Sequence, residues 1–318
     1  MVAEIADSII LRAMIPTFID RLVAAVRSKR TPVMVGLDPR LEQLPPGLAP
    51  ADVRDYAAVA ESYRRFSREV IDVVAPLVGV VKPQAAFFEQ LGPAGMVALG
   101  DVIAYATSQD LVVVLDGKRN DIGTTAEAYA DGWLGRRPAS AWGADALTVS
   151  PYLGDDSLEP FLKIGRPRGA GIFVLVKTSN PGGKLLQDLV ANGQPLYRHV
   201  AEHVEKLARA SQGVDGYGDV GAVVGATYPE QLAELRAAMP STWLLVPGYG
   251  AQGGNARDCA AAFDDRGLGA VVNNSRGIIF AHARPEYQRF AGNWQQAVEA
   301  ATRDMIEQLR TDTSAGQL

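Results

Sequence analysis

The sequence predicts a closed (β/α)₈ barrel, the TIM-barrel fold of the α/β class, as a single domain with an N-terminal helical extension. Short apolar runs rich in β-branched residues recur eight times along the chain, and segments with helical periodicity separate them. Eight alternating strand and helix units within about 250 residues are typical of this fold. An open doubly wound sheet is the alternative that the same alternation allows.

The eight predicted strands are nearly continuous apolar runs, as expected for parallel strands that are buried on both faces. They cover residues 32–39, 78–83, 111–116, 144–150, 171–177, 220–226, 242–247 and 269–274. Between them lie segments with apolar residues at a period of about 3.6, which predicts amphipathic helices. These helices cover residues 52–76, 93–109, 125–134, 195–211 and 229–238.

The two ends of the chain lie outside this alternation. Residues 1–30 are expected to form a helical extension on the barrel, because residues 17–29 have helical spacing. The barrel itself is assigned to residues 31–300. Residues 301–318 are expected to contain the end of a terminal helix and, from about Thr311, a frayed tail of small polar residues.

Composition limits the classes of partner. The chain has 31 basic and 36 acidic residues, a formal charge of −5 and no basic run, which argues against binding to nucleic acid or to an anionic membrane. Residues 1–15 include Glu4 and Asp7 and have no basic region before an apolar core, so we expect neither a signal peptide nor a membrane span. Cys259 is the one cysteine and lies in a helical pattern typical of a buried structural thiol. A cytoplasmic protein is expected.

Opposite charges collect at the end of the third run. Asp116 and Lys118 follow a buried strand and, because side chains two apart on a strand share a face, we expect them to converge. Asp121 follows in the next loop. Charges held this close are costly unless function uses them. The carboxyl ends of barrel strands face the active site. The polar residues at the other ends are Asp38, Lys82, Ser150, residues 177–179, residues 247–252, Ser275 and Arg276.

A glycine-rich stretch, Pro247-Gly-Tyr-Gly-Ala-Gln-Gly-Gly254, follows the seventh run. It formally matches the dinucleotide-binding fingerprint, but that motif belongs on the first strand of its unit and needs an acidic residue after the next strand. The next run here ends in Asn273-Asn274. We therefore expect a phosphate cradle of backbone N–H groups, with Arg276 as a fixed cation. Simple turn chemistry is the alternative.

A metal site is not expected. His199 and His203 are four residues apart, which would place both on one helix face, but the glutamate in His199-Val-Ala-Glu-His203 is misplaced for a metalloprotease motif. No third ligand is close in sequence, so we expect a solvated helix face.

Several motifs together resemble one family. Asp116-x-Lys118-x-x-Asp121-Ile122 resembles the signature of the orotidine 5′-phosphate decarboxylases, and the residues around it resemble the longer-chain bacterial subgroup. Further matching motifs occur in the family's order over about residues 17–295. They are Val35-Gly-Leu-Asp-Pro39, Val81-Lys-Pro83, Thr148-Val-Ser-Pro-Tyr-Leu-Gly154, Lys177-Thr-Ser-Asn-Pro-Gly182, the stretch 247–254, and Asn274-Ser-Arg-Gly277.

The resemblance implies decarboxylation of orotidine 5′-monophosphate (OMP) to uridine 5′-monophosphate (UMP), without metal or organic cofactor. It implies that Lys118 protonates C6, that Asp116 lies beside the substrate carboxylate, and that Asp38 and Lys82 hold ribose hydroxyls. This agrees with the chemistry, since a C6 carbanion has little delocalisation and needs a positioned ammonium.

The resemblance also implies the remaining contacts. Asp121 and Thr125 would reach into the neighbouring subunit's site, which implies a homodimer with shared active sites. The other implied contacts are Ser179 to the pyrimidine, Pro247 to the base pocket, and Gln252 and Arg276 to the phosphate, with the Gln252 loop as a lid. Lys177 departs from the uncharged residue or arginine expected there, and its role is left open.

Three alternatives remain at this stage. The first is a magnesium-dependent phosphosugar synthase or aldolase on the same barrel, such as a hexulose-phosphate synthase, which also uses an Asp-x-Lys-x-x-Asp arrangement. The second is a Schiff-base aldolase that uses Lys82, Lys118 or Lys177. The third is a phosphate-ligand-binding protein without catalytic activity.

Overall fold

The computed structural model describes residues 16–250, 253–290 and 292–318. All eight predicted runs form strands. The strands are β1 (Val33–Leu37), β2 (Val80–Pro83), β3 (Val112–Arg119), β4 (Ala146–Val149), β5 (Gly171–Lys177), a hairpin of β6 (Val190–Ala191) and β7 (Gln194–Pro195), β8 (Val220–Val224), β9 (Leu244–Val246) and β10 (Ala270–Asn274). Except for the hairpin, they close into a parallel barrel in the order β1-β10-β9-β8-β5-β4-β3-β2. The barrel prediction is confirmed, and the doubly wound alternative is wrong.

Helices surround this barrel. They are α1 (Phe18–Lys29), α2 (Tyr56–Val74), α3 (Ala85–Glu89), α4 (Gly92–Ser108), α5 (Gly123–Trp133), α6 (Glu159–Gly165), α7 (Lys184–Gln187), α8 (Leu196–Arg209), α9 (Pro229–Ala238), α10 (Arg276–Ile279) and α11 (Trp294–Asp312). The helical pattern around Cys259 forms a 3₁₀ helix, Arg257–Ala262. The Cys259 thiol is buried, as predicted, and burial raises its pKa to about 12.

Helix α1 closes the amino-terminal end of the barrel. Its buried face packs on side chains from the barrel interior, including Met34 and Val80. Phe18 meets Phe173 of β5 edge to face, with ring centroids 5.9 Å apart. Gly171 allows this approach, because a Cβ there would lie 2.3 Å from the Phe18 ring. The polar residues of the opposite end are therefore left as the accessible mouth of the barrel.

The end of the chain is ordered, which contradicts the prediction of a frayed tail from Thr311. Helix α11 crosses residue 300 and continues to Asp312, and a 3₁₀ helix, Ser314–Gln317, follows. The Ser314 hydroxyl donates to the Asp264 carbonyl at 2.7 Å, and the Arg30 side chain donates to the Leu318 carbonyl at 2.8 Å. The small side chain of Ala315 is buried. Small polar residues here allow close packing, not fraying.

No helix within the described ranges is long and apolar enough to cross a membrane. The two longest, α2 and α11, have 19 residues each, and both pack an apolar face on the protein.

The two histidines of α8 were expected to lie on a solvated helix face. Both are half-buried. The His199 ring contacts the β6–β7 hairpin through the Ala191 carbonyl at 2.8 Å and the Gln194 amide at 3.1 Å.

Candidate active site

Asp116 and Lys118 converge as expected, but not by simple strand alternation. Leu115 of β3 pairs with Leu147 of β4, and Arg119 pairs with Val149, so the three residues 116–118 lie opposite the single residue Thr148. The strand therefore bulges, and Lys118 adopts a left-handed backbone with φ of +45°. A non-glycine residue in this conformation is strained, and such strain is common at active sites. The bulge directs both side chains to the barrel mouth.

Four donors surround the Asp116 carboxylate. Its Oδ1 accepts from Lys118 Nζ at 2.6 Å and from the Thr148 hydroxyl at 3.0 Å. Its Oδ2 accepts from Lys82 Nζ at 2.8 Å and from the Gln84 amide at 2.9 Å. Burial alone would raise the pKa of Asp116, but the charges of Lys82 and Lys118 hold that pKa well below its usual range. Asp116 is therefore ionised.

Lys82 lies between two carboxylates. Burial opposes the charged ammonium, yet the nearby charges of Asp116 and Asp38 raise the pKa of Lys82 above its usual value. The pKa of Asp38 is raised in turn, first by burial and also by the charge of Asp116, although Lys82 opposes this. The four groups alternate in sign along the mouth of the barrel. We call Asp38, Lys82, Asp116 and Lys118 the charged array.

The charged array forms one wall of a cavity of about 290 Å³ at the carboxyl end of the barrel. Leu175, Val223 and Leu245 supply apolar lining. The predicted site residues that line this cavity are Asp38, Lys82, Asp116, Lys118, Ser179, Pro247 and Arg276. The structure thus brings seven of the predicted residues to one place. Gln252 lies outside the described residues.

Asp121 and Thr125 are not among the residues that line the cavity of their own chain. Both belong to the segment where α5 begins, and the Asp121 carboxylate accepts from the Ile122 N–H at 2.8 Å. Thr125 is exposed, and the apolar side chain of Ile122 is 54% exposed. This segment is therefore exposed and is not part of the cavity wall of its own chain.

The glycine-rich loop after β9 differs from the expected cradle in its described part. The N–H groups of Gly250, Gly253 and Gly254 donate to carbonyl oxygens within the loop, at 2.7, 2.8 and 3.1 Å. They are therefore already satisfied by a compact turn. Gly248, Gly250 and Gly253 all have positive φ, a conformation that favours glycine. The described residues of the stretch form a tight turn, and Gly248 and Tyr249 line the cavity.

Lys177 does not line the cavity. Its side chain is almost fully buried, its ammonium pairs with Asp188, and it lies 5.3 Å from the ring centroid of Tyr197 and 5.6 Å from that of Tyr228. Asp188 caps the carboxyl end of α7, in the segment that follows Ser179. Lys177 therefore connects this segment to the end of β5.

Sequence reasoning gave no role to several polar residues of the site. Gln84, Thr148, Asn273 and Asn274 all line the cavity. Thr148 is a lone hydroxyl in an apolar strand, and Gln84 directly follows β2, so each had a recognisable signal. Gly36 has a steric role, because a Cβ at this position would lie 1.8 Å from the Ser275 hydroxyl oxygen.

The chain forms a closed parallel barrel, and its lysines and carboxylates converge at the carboxyl ends of the strands. This arrangement is typical of TIM-barrel enzymes. The chain matches the model of the orotidine 5′-phosphate decarboxylase / HUMPS family over residues 31–289, and it belongs to that family.

Individual relatives agree with the family match. The chain is 60% identical over 299 residues to the orotidine 5′-phosphate decarboxylase of Rhodopirellula baltica, covering 92% of this chain and 99% of the relative. The protein of the same name from Deinococcus radiodurans is 46% identical over 269 residues, 84% of this chain and 91% of the relative. The structure of Leishmania donovani OMP decarboxylase has a TM-score of 0.71 at 35% identity, covering 93% of this chain and 98% of that chain.

Proposed function

We infer that the protein decarboxylates OMP to UMP and carbon dioxide, in the de novo synthesis of pyrimidine nucleotides. The observation that carries this inference is the charged array, in which an exposed lysine and a buried lysine share one ionised carboxylate. The relatives named orotidine 5′-phosphate decarboxylase support it, since the alignment with one of them covers 92% of the chain at 60% identity.

Lys118 is the proposed proton donor. Loss of carbon dioxide breaks the bond between C6 and the carboxylate carbon and leaves the electron pair on C6. An adjacent ammonium stabilises this charge and then transfers a proton to C6, which forms UMP and a neutral amine that water reprotonates. The Lys118 side chain is 49% exposed at the cavity, whereas that of Lys82 is 5% exposed. Of the two lysines that line the cavity, Lys118 is therefore the more exposed, which favours it as the proton donor.

Asp116 is proposed to lie beside the carboxylate of OMP. Because Lys82 and Lys118 keep Asp116 ionised, it repels the substrate carboxylate more than it repels a transition state that resembles carbon dioxide. Lys82, in turn, keeps a second contact to Asp116 as Lys118 moves its proton. Asp116 thus keeps one ion pair while Lys118 is neutral and until water reprotonates it.

The remaining contacts are proposed from position around the cavity. Asp38 and Lys82 are assigned to the ribose hydroxyls; Asp38 Oδ1 is buried and has no hydrogen-bond partner within the described residues, so an added hydroxyl donor would satisfy it. Ser179 is assigned to the pyrimidine and Pro247 to the base pocket. Arg276 is exposed at the end of β10 and is assigned to the phosphate, together with Gln252.

The experiment follows OMP consumption by ultraviolet absorbance, with protein purified from a host strain that lacks its own decarboxylase. We expect turnover that persists in the presence of a chelator, because the proposed chemistry uses neither metal nor organic cofactor. Absence of turnover would overturn the assignment. Loss of turnover with chelator and its return with Mg²⁺ would favour the phosphosugar synthase alternative. The four donors around Asp116 argue against that alternative, since they already occupy its oxygens.

We propose that the protein is a cytoplasmic homodimer whose partner subunit completes each site through Asp121 and Thr125. Exposed apolar side chains support a subunit interface at the carboxyl ends of the strands, near Asp121 and Thr125. They follow three strands that are neighbours in the barrel: Ile122 after β3, Tyr152 and Leu153 after β4, and Leu185 and Val190 after β5. The low cysteine content fits a reducing compartment.

Arg276→Ala is expected to raise KM for OMP about 10- to 100-fold, because a charge-assisted hydrogen bond contributes roughly 1.5–3 kcal/mol. Steady-state kinetics with OMP and with the phosphate-free nucleoside orotidine measure this. The rise in KM should occur with OMP and not with orotidine. Arg303→Ala on the surface of α11 is the control. An equal loss with both substrates would remove Arg276 from the phosphate site.

A further inference from the structure

We propose that Thr148 is a positioning residue for Lys118. Its hydroxyl fixes the strained backbone of the proton donor and orients the carboxylate that the donor's ammonium contacts. The inference concerns the geometry of the bulge in β3, and its consequence for turnover rests on the proposed function.

The hydroxyl of Thr148 replaces backbone partners that the bulge removes. Because three residues of β3 face one residue of β4, the N–H groups of Gly117 and Lys118 have no carbonyl of β4 opposite them. Both donate to Thr148 Oγ1 instead, at 3.1 and 2.9 Å. Both hydrogen bonds are partly buried, and N–H groups shielded from water need such partners. A side-chain oxygen at this position therefore permits the bulge.

The direction of the third hydrogen bond follows from the first two. A hydroxyl has one donor and two acceptor sites. The N–H groups of Gly117 and Lys118 occupy both acceptor sites, so the Thr148 proton points to Asp116 Oδ1, 3.0 Å away. The same Oδ1 accepts from Lys118 Nζ. Thr148 thus links the backbone of Lys118 to the carboxylate that holds its ammonium.

The peptide group between Gly117 and Lys118 is fixed at both ends. Its N–H donates to Thr148, and its carbonyl accepts from the Arg119 guanidinium at 2.8 Å. The guanidinium also pairs with Glu89 of α3. Rotation of this peptide would be needed for Lys118 to leave its left-handed conformation, and either hydrogen bond opposes that rotation. Of the two side chains that hold this peptide, Thr148 is buried and Arg119 is partly exposed.

Thr148→Val removes the hydroxyl at nearly constant shape. We expect kcat for OMP to fall about 10- to 100-fold with KM nearly unchanged, because a small displacement of a reacting group has an effect of this size. Thr148→Ser, which keeps the oxygen, should restore most of kcat. The control is Thr302→Val, which removes an equally buried hydroxyl from α11 and should leave kcat unchanged. An unchanged kcat in Thr148→Val, or equal loss in the Ser and Val variants, would overturn the proposal.

A crystal structure of Thr148→Val supplies a readout that does not need activity. We expect the backbone of Lys118 to leave the left-handed region, or its Nζ to separate from Asp116. Retention of both features would overturn the positioning role, whether or not the wild-type protein decarboxylates OMP. If Thr148→Val does not fold, Thr148→Ala removes the hydroxyl without placing a methyl group against the bulge, and the same results are expected.

Discussion

Lys118→Ala should lower kcat for OMP by about four orders of magnitude or more, because it removes both a general acid and the cation that stabilises the C6 carbanion. The fold should be retained. The Lys118 side chain is half-exposed, and Asp116 keeps its contacts with Lys82, Gln84 and Thr148. Absorbance assays at saturating OMP measure kcat, and thermal unfolding measures stability.

The matched control for this change is Lys163→Ala. Lys163 is an exposed lysine of α6 that pairs with Glu127 on the outside of the barrel, so its loss should leave kcat unchanged. Binding of UMP, measured by calorimetry, should persist in Lys118→Ala and shows that the cavity is formed. A folded Lys118→Ala variant that binds UMP and retains kcat within about tenfold of wild type would contradict the role of Lys118 as proton donor.

The barrel could be predicted from the sequence because each of its strands and helices leaves a pattern within a short stretch of residues. Each strand is a compact apolar run with a polar end, and barrel closure then brings those ends together. Asp38, Lys82 and Asp116 are far apart in sequence but lie at equivalent strand ends, and the structure places all three at one cavity. For these residues, position along the strand was sufficient.

The bulge at Lys118 could not be predicted in the same way. Its existence depends on how β3 pairs with β4, and on the Thr148 hydroxyl that replaces the missing carbonyl partners. The contacts of Lys177 with Asp188 and two tyrosine rings likewise depend on how the segment after Ser179 folds back on β5. The ordered tail depends on Ala315 and Ser314 meeting the loop at Asp264. All three are long-range packing effects that local periodicity does not encode.

The placement of Asp121 leads to the second large effect. In the homodimer that we propose, Asp121 completes the partner's site, so its removal should damage that site and leave the site of its own barrel intact. The absence of Asp121 and Thr125 from the cavity wall of their own chain supports this arrangement. Heterodimers of one Lys118→Ala chain and one Asp121→Ala chain then contain one site with both changes and one site with none. With two different affinity tags to isolate heterodimers, we expect about half of the wild-type activity per dimer.

The reciprocal arrangement makes the experiment decisive. A heterodimer of one wild-type chain and one chain with both changes has an altered residue in each site if the sites are shared, so its activity should be nearly absent. If Asp121 served its own barrel, the results would be reversed, with no activity in the first heterodimer and about half in the second. The three altered homodimers are the controls and should all be inactive. Size-exclusion chromatography before and after the assay excludes subunit exchange, since any return of wild-type homodimer would otherwise imitate recovery.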